Sequence, residues 1–244
     1  MVTWNDGAVS TTAEVGIASS LTGGQLRDAY VETLPAVTFG LVRVRDNAVT
    51  LGPIELLRFG PPSVTTDAVE WPIDGGLLAR RPGGRWRIQA ADGRVVATAS
   101  GYNPRLPRPI YVLTHLQVHQ LFTRLYLLRL RGREPAPGPP AGPRDRRRAA
   151  MIDVAFCFTL AGFIGRRRRR LRRTLVIAAA YHVACWSISG RTLGGLVMRQ
   201  RVVAVDGSRL TPTQAIFRLV LLPASWITRR PLHDQLPSTE VVND

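Results

Sequence analysis

The sequence predicts an α+β N-terminal domain followed by an all-α, membrane-associated C-terminal domain built of three short helical segments. Three observations carry this. Residues 132–143, GREPAPGPPAGP, hold five prolines and three glycines, a composition that supports neither a helix nor a ladder strand and favours extended polyproline conformations. Before that break, short runs of β-forming residues alternate with turn residues. After it come three apolar stretches set among arginines. The expected organisation is a domain at 1–131, a semi-stiff linker at 132–143 and a helical domain at 144–244.

In the N-terminal domain, Thr22 stands at a cap position ahead of a helical stretch that Pro35 closes, which suits a short helix. Val37–Val44 predicts a strand ending at the turn pair Asp46-Asn47. Further strands are expected at Val49–Leu51, Glu55–Phe59, Ala68–Ile73, Arg85–Gln89 and Val95–Ser100, separated by Gly and Pro punctuation. Asp92-Gly93, between the last two, is a hairpin signal. Pro109–Arg131 then runs 23 residues with few breakers. Leu113, Leu116, Leu121, Leu125 and Leu128 recur along it, so a long helix would lie across the sheet. A helix, a run of strands and a long final helix loosely resemble, in element order alone, a helix-grip (START-like) domain.

The apolar stretches after the linker are Ala149–Gly165, Thr174–Gly190 and Leu219–Ile227. A hydrocarbon core of about 30 Å needs roughly 20 helical residues, so the first two fall slightly short and the third well short. Flanking arginines can snorkel to close part of the gap. The competing reading is three core helices of a soluble domain. Apolar residues all round the first two stretches favour the membrane.

The net charge is +16 and every one of the 33 basic residues is arginine. With abundant Ala, Gly, Pro, Val and Leu, that uniformity points to the coding bias of a GC-rich bacterial genome, which weakens a nucleic-acid reading of the charge. Residues 132–174 carry 12 arginines against 3 acids, so the excess sits around the first apolar stretch. Arg166, Arg167, Arg168, Arg169, Arg170, Arg172 and Arg173 are expected at anionic lipid headgroups, each worth about 1 kcal/mol. No aromatics interleave them, and no nucleic-acid partner is expected. Cys157 and Cys185 lie in apolar stretches and read as small hydrophobes. The opening MVTWNDGAVSTTAEVG has no basic n-region and no apolar core, so no signal peptide is expected. The N-terminal domain is accordingly expected on the cytoplasmic side of a bacterial cytoplasmic membrane.

Several spaced elements after the linker resemble the RDD family of membrane domains. Arg148-Ala-Ala-Met-Ile-Asp153 resembles its opening. Gly190-Arg-Thr-Leu-Gly194 and Arg199-Gln-Arg-Val-Val-Ala-Val-Asp206-Gly207 resemble its loop after the second helix. Thr211-Pro-Thr-Gln-Ala-Ile-Phe-Arg218 resembles the approach to its third segment. Arg230-Pro-Leu-His-Asp234 and Thr239-Glu-Val-Val242 resemble its close. The resemblance covers about residues 144–242 and implies that Arg148, Asp153, Thr192, Gly194, Asp206, Gly207, Arg218, Arg230, His233, Asp234 and Thr239 are its signature polar positions, with the family's three letters on Arg148, Asp153 and Asp234. Two features depart from it. The third segment is short and contains Pro223, which suits a re-entrant or surface-lying helix. Arginines also flank both ends of the first stretch, so both ends favour the inner side, and either the connector crosses against that rule or the stretch dips in and returns.

Asp153 is the first residue to consider for function, because an intramembrane carboxylate costs roughly 2.5–3.5 kcal/mol on insertion scales. Arg148 is about 140° from it around a helix, so Arg199, Arg201 or Arg218 would have to reach it across the bundle. The plainer account is a packing ion pair near the membrane boundary. His182 could relay protons with Asp153 or be a hydrogen-bonded core histidine. His233-Asp234 suggests acid–base work, yet no nucleophile accompanies it, and a cap or an arginine pair accounts for Asp234 better. His115 and His119 share a helix face, but Leu116 stands where the zinc-protease pattern needs Glu, so no metal is expected. No catalytic residues and no cofactor are expected, and the chain is read as a non-enzyme. The resemblance implies an integral membrane protein, with transport of an ion or small solute through a homo-oligomer as its suggested role. The alternative is a membrane-anchored binding or scaffold protein whose N-terminal domain takes an apolar ligand or partner.

Overall fold

A computed structural model describes residues 1–163 and 170–244 of the chain, which divide into two compact units, Met1–Gly132 and Arg133–Asp244. The first unit runs β1 (Val2–Asn5), β2 (Ala8–Gly16), α1 (Gly23–Val37), β3 (Val42–Arg45), β4 (Ala48–Leu51), β5 (Ile54–Phe59), β6 (Ser63–Val64), β7 (Ala68–Gly75), β8 (Gly84–Ala91), β9 (Arg94–Tyr102), α2 (Arg108–Leu113) and α3 (His115–Arg131). Its sheet is antiparallel, ordered β1-β2-β9-β8-β7-β5-β4-β3 with β6 on β7. β2 therefore lies beside β9, and α1 and α3 pack on each other and on the sheet. The unit is α+β, as expected.

The turn chemistry explains most of the sheet. Asp92 and Gly93 both have positive φ, the geometry of the type I′ turn whose twist matches paired strands. Asp6-Gly7 and Asp46-Asn47 repeat it. The first of these makes a β1–β2 hairpin over a stretch in which the sequence suggested no element. α1 opens with a reciprocal capping box between Thr22 and Gln25. It also runs through Pro35 to Val37 instead of stopping before the proline. Pro35 brings no N–H to the last turn, and the stop comes from Phe39 and Gly40, both at positive φ, with Gly40 N–H donating to Pro35 O at 2.8 Å. The strand expected at Val37–Val44 is thus shortened to Val42–Arg45. The expected single helix over 109–131 is broken at Thr114, whose φ of −122° and ψ of −82° are not helical. No Gly or Pro marks this break. It turns Tyr111 inward, leaving it 1% exposed.

The second unit runs α4 (Pro143–Phe163), α5 (Arg170–Ile188), α6 (Leu193–Val197), β10 (Gln200–Ala204), α7 (Pro212–Thr228), α8 (Leu232–Gln235) and β11 (Thr239–Asn243). The three expected helical segments are α4, α5 and α7. The unit is not all-α, however, because β10 and β11 pair antiparallel from Gln200↔Asn243 to Ala204↔Thr239. Both strands fall where the sequence suggests a loop and a closing signature, yet they carry the β-branched pairs Val202-Val203 and Val241-Val242 that pack well in strands. A two-stranded ribbon is marginal alone. Here Val202 joins Trp186, Leu210 and Ala215 in an apolar cluster, and the Pro/Gly-rich segment supplies further pairing. Ala141 N–H donates to Val241 O at 2.8 Å and Asn243 N–H to Pro139 O at 2.9 Å. Among the described residues, no helix is long and apolar enough to cross a membrane.

Candidate functional site

Two polar clusters tie the second unit together. The first is built on Asp153, 4% exposed on α4. Its Oδ1 accepts from Tyr181 Oη at 2.9 Å and from Gly194 N–H at 2.8 Å. His182 Nε2 lies 3.9 Å from Oδ2. Tyr181 Oη in turn accepts the Leu193 N–H, and Thr192 caps α6 by accepting from Gly195 N–H at 3.0 Å. Asp153 therefore pins α4 to α5 and to the start of α6. Gly194 is required for this approach, because a Cβ there would stand 2.0 Å from Ala149 O.

The second cluster centres on Asp234 in α8. Arg218 on α7, 3% exposed, donates to Asp234 Oδ1 and to Thr239 Oγ1, reaches His233 O at 3.3 Å, and stacks 5.0 Å from the Trp186 ring centroid. Arg146 on α4 donates to Asp234 Oδ2. Burial pushes the Asp234 carboxyl up, but the Arg218 and Arg146 guanidiniums outweigh it and hold it below the usual carboxylate range. Burial pushes the His233 imidazole down to about 4, so it is neutral near pH 7. Ser225 Oγ donates to Leu221 O at 2.8 Å, which leaves it to accept from His233 Nδ1 at 2.9 Å. That assigns the Nδ1–H tautomer, with Nε2 facing Arg146 at 3.5 Å.

Of the positions implied by the resemblance, Asp153 and Gly194 meet in the first cluster beside the Thr192 cap, while Arg218, His233, Asp234 and Thr239 meet in the second. Asp206 and Gly207 form a turn in which Asp206 Oδ1 accepts from Ser208 N–H at 3.0 Å. Arg230 is exposed. Arg148 is a surface residue with a side chain 69% exposed, 3.5 Å from Asp145; the α4 arginine that reaches Asp234, beside Arg218 from α7, is Arg146. Helix geometry carries that signal. Seven residues separate Arg146 from Asp153, which returns it to the same face, whereas Arg148 falls on another. Nor does an arginine pair with Asp153 among the described residues: Arg218 goes to Asp234, and Arg201 to Asp244 at 3.2 Å. Tyr181, Ser225 and Trp186 are the partners the sequence did not single out. Arg166, Arg167, Arg168 and Arg169 lie outside the described residues, as does the side chain of Arg170. Arg172 is exposed and Arg173 half-buried on α5.

The first unit holds a cavity of about 40 Å³ between the sheet and the helices. Its walls include Tyr30 from α1, Trp86 from β8, Tyr102 from β9, Tyr111 from α2, and His115 and His119 from α3. The shared face of the two histidines thus serves this cavity. His119 Nε2 lies 3.2 Å from Thr11 Oγ1, and His115 packs edge-on to Tyr111 at 5.0 Å. Burial pushes both imidazoles down to about 4. Among the described residues, no group of three or more His, Cys, Asp or Glu is placed to hold a metal.

Residues 173–235 match the model of the RDD family, a family generally associated with membranes. The match runs from within α5 to the end of α8 and so includes Thr192, Gly194, Asp206, Arg218, His233 and Asp234, while Arg146, Asp153 and Thr239 lie outside it. Neither the curated proteins nor the solved structures yield a match to the chain.

Proposed function

We propose that the protein is a membrane-associated binding protein, held at the bilayer by its second unit and taking a small ligand in its first. The observation that carries the membrane part is an inverted helix. α4 buries Ala149, Asp153, Cys157 and Ala161 and exposes Met151, Val154, Phe156, Phe158, Leu160 and Phe163. α7 repeats the pattern, with Gln214, Arg218 and Ser225 buried and Val220, Trp226 and Ile227 exposed. Water disfavours so large an apolar surface, whereas a bilayer favours small and polar residues at helix contacts and large apolar ones outside. Ala149–Phe163 spans about 22 Å as helix, less than a hydrocarbon core. The unit is therefore read as seated in one leaflet and the headgroup region, with Arg172 and its neighbours at anionic lipid heads and the first unit in the cytoplasm.

Binding is favoured over transport because Asp153, Arg218 and Asp234 are bonded to side chains and backbone of their own unit, where they stabilise the bundle. In the first unit, a long helix over an antiparallel sheet with an aromatic cavity beneath it supports a helix-grip-type binding module. The test is flotation of the full chain, purified in mild detergent, with vesicles of phosphatidylcholine alone or with phosphatidylglycerol. Co-flotation that survives 1 M salt and is strengthened by phosphatidylglycerol is expected, the added salt being enough to shorten the screening length to about 3 Å. A monodisperse chain, or a lipid-free oligomer, that stays at the bottom of the gradient after detergent removal overturns the reading.

A further inference from the structure

The first-unit cavity has two polar atoms left over. Trp86 Nε1 and His115 Nδ1 are buried and have no hydrogen-bond partner among the described residues, and both side chains line the cavity. Such atoms are uncommon in folded proteins, because a buried donor or acceptor left unsatisfied has lost its hydration with nothing in return. The two differ in what they ask for. The Trp86 indole N–H only donates, so it needs an acceptor, and His115 Nδ1 can donate or accept according to tautomer. The remaining wall is aromatic and aliphatic apart from Thr11 and His119, which face each other, and the tyrosine hydroxyls of Tyr30, Tyr102 and Tyr111. Tyr102 Oη is already committed to Leu78 O at 2.7 Å. The lining residues include no arginine and no carboxylate.

Resting on the reading of this unit as a binding module, we infer that the cavity takes a small neutral molecule with an apolar body and one hydroxyl or carbonyl oxygen, which accepts from Trp86 Nε1 and engages His115 Nδ1. A hydroxyl serves both atoms, accepting from the indole and donating to the imidazole. The cavity of about 40 Å³ is roughly three to four times what one water needs, about 10–15 Å³ measured in this way, which suits a small molecule. Charged ligands are excluded because the wall offers no counter-ion to offset their desolvation. The pocket thus discriminates by one hydrogen-bonding oxygen and by shape.

The test uses three probes of one ring size, cyclopentanol, cyclopentane and cyclopentylammonium, titrated into the full chain in lipid nanodiscs. The readout is the indole N–H resonance of Trp86, identified by its loss in Trp86→Phe. Saturable downfield movement of that resonance is expected with cyclopentanol. Cyclopentane should bind about tenfold more weakly, the effect of one hydrogen bond, without the downfield shift, and cyclopentylammonium should not bind. In Trp86→Phe the preference for alcohol over hydrocarbon, followed through the His115 ring resonances, should shrink several-fold. Equal affinity for cyclopentanol and cyclopentane overturns the inferred ligand class and leaves the binding module standing. Silence towards all three probes up to millimolar concentration overturns both, while the vesicle flotation above remains an independent test of membrane attachment.

Discussion

Asp153 accepts the Gly194 N–H at 2.8 Å where α4 meets the start of α6, and the missing Gly194 side chain is what lets the two backbones come so close. An added Cβ would lie 2.0 Å from Ala149 O and 2.7 Å from Ala149 C. Both atoms are backbone, so no side-chain rotation relieves the contact. Gly194→Ala should therefore destabilise the second unit by about 1–3 kcal/mol or more, read as a lowered thermal midpoint of the full chain in detergent. An unchanged midpoint would mean that α6 can back away from α4 freely.

The pairing of Arg146, and not Arg148, with Asp234 separates two neighbouring arginines sharply. Asp234 is held by Arg146 and Arg218 together, and removing either leaves a mostly buried carboxylate with less compensation. Arg146→Ala should cost roughly 1–3 kcal/mol, moderated because Arg146 itself is partly exposed. Arg148→Ala, which disturbs only a surface contact to Asp145, should stay within about 0.5 kcal/mol. Urea unfolding of both variants checks this, and equal effects would place the two arginines in equivalent roles.

Local chemistry was legible in the sequence wherever a single residue type decides the backbone. Asp92-Gly93 specified its hairpin, and Thr22 its cap. The C-terminal helices were visible because each is an apolar run with polar punctuation. What escaped was set by partners distant in the chain. β10 and β11 form because residues about forty positions apart pair with each other, and the short β-branched pair Val202-Val203 is too weak a local signal to mark Gln200–Ala204 as a strand without its partner. The break at Thr114 lacks Gly or Pro, and the surrounding packing of Tyr111 and His115 against Tyr102 accompanies it. The site was half legible. Asp153 was found as a carboxylate in an apolar stretch and Arg218 and Asp234 through the family resemblance, but the choice of Arg146 over Arg148 needed the helix phase of Asp153, and Tyr181 and Ser225 look unremarkable until their partners are known.

The α1 capping box offers a test of local design in the first unit. Thr22 Oγ1 accepts from Gln25 N–H at 3.3 Å, and Gln25 Oε1 accepts from Thr22 N–H at 2.9 Å. Thr22→Ala removes one half of this exchange and should lower stability by about 1 kcal/mol, with Thr22→Ser close to neutral. Denaturant midpoints of the two variants, followed by Trp71 and Trp86 fluorescence, give the comparison. If the alanine and serine variants unfold together, the cap is not holding the helix start.

The buried histidines set the pH at which the chain loosens. His115, His119 and His233 are each pushed by burial to about 4 in the folded state, against about 6.5 for a free imidazole. The unfolded chain therefore binds protons first as the pH falls. Their contribution is complete above pH 6.5 and is lost between about 6.5 and 4, with a slope of up to about 1.4 kcal/mol per pH unit for each histidine. Asp234 acts in a lower window. Its carboxyl is held below the usual range, so its contribution persists through that interval and goes only as the pH falls through its own depressed value. Thermal midpoints of the full chain measured from pH 7.5 to 4.5 should be flat down to about 6.5 and then fall steadily. Replacing the pair on α3, as His115→Gln with His119→Gln, should remove the larger part of the dependence belonging to the first unit. A midpoint that stays level down to pH 5 would mean that these imidazoles are solvated and free to carry charge in the folded protein.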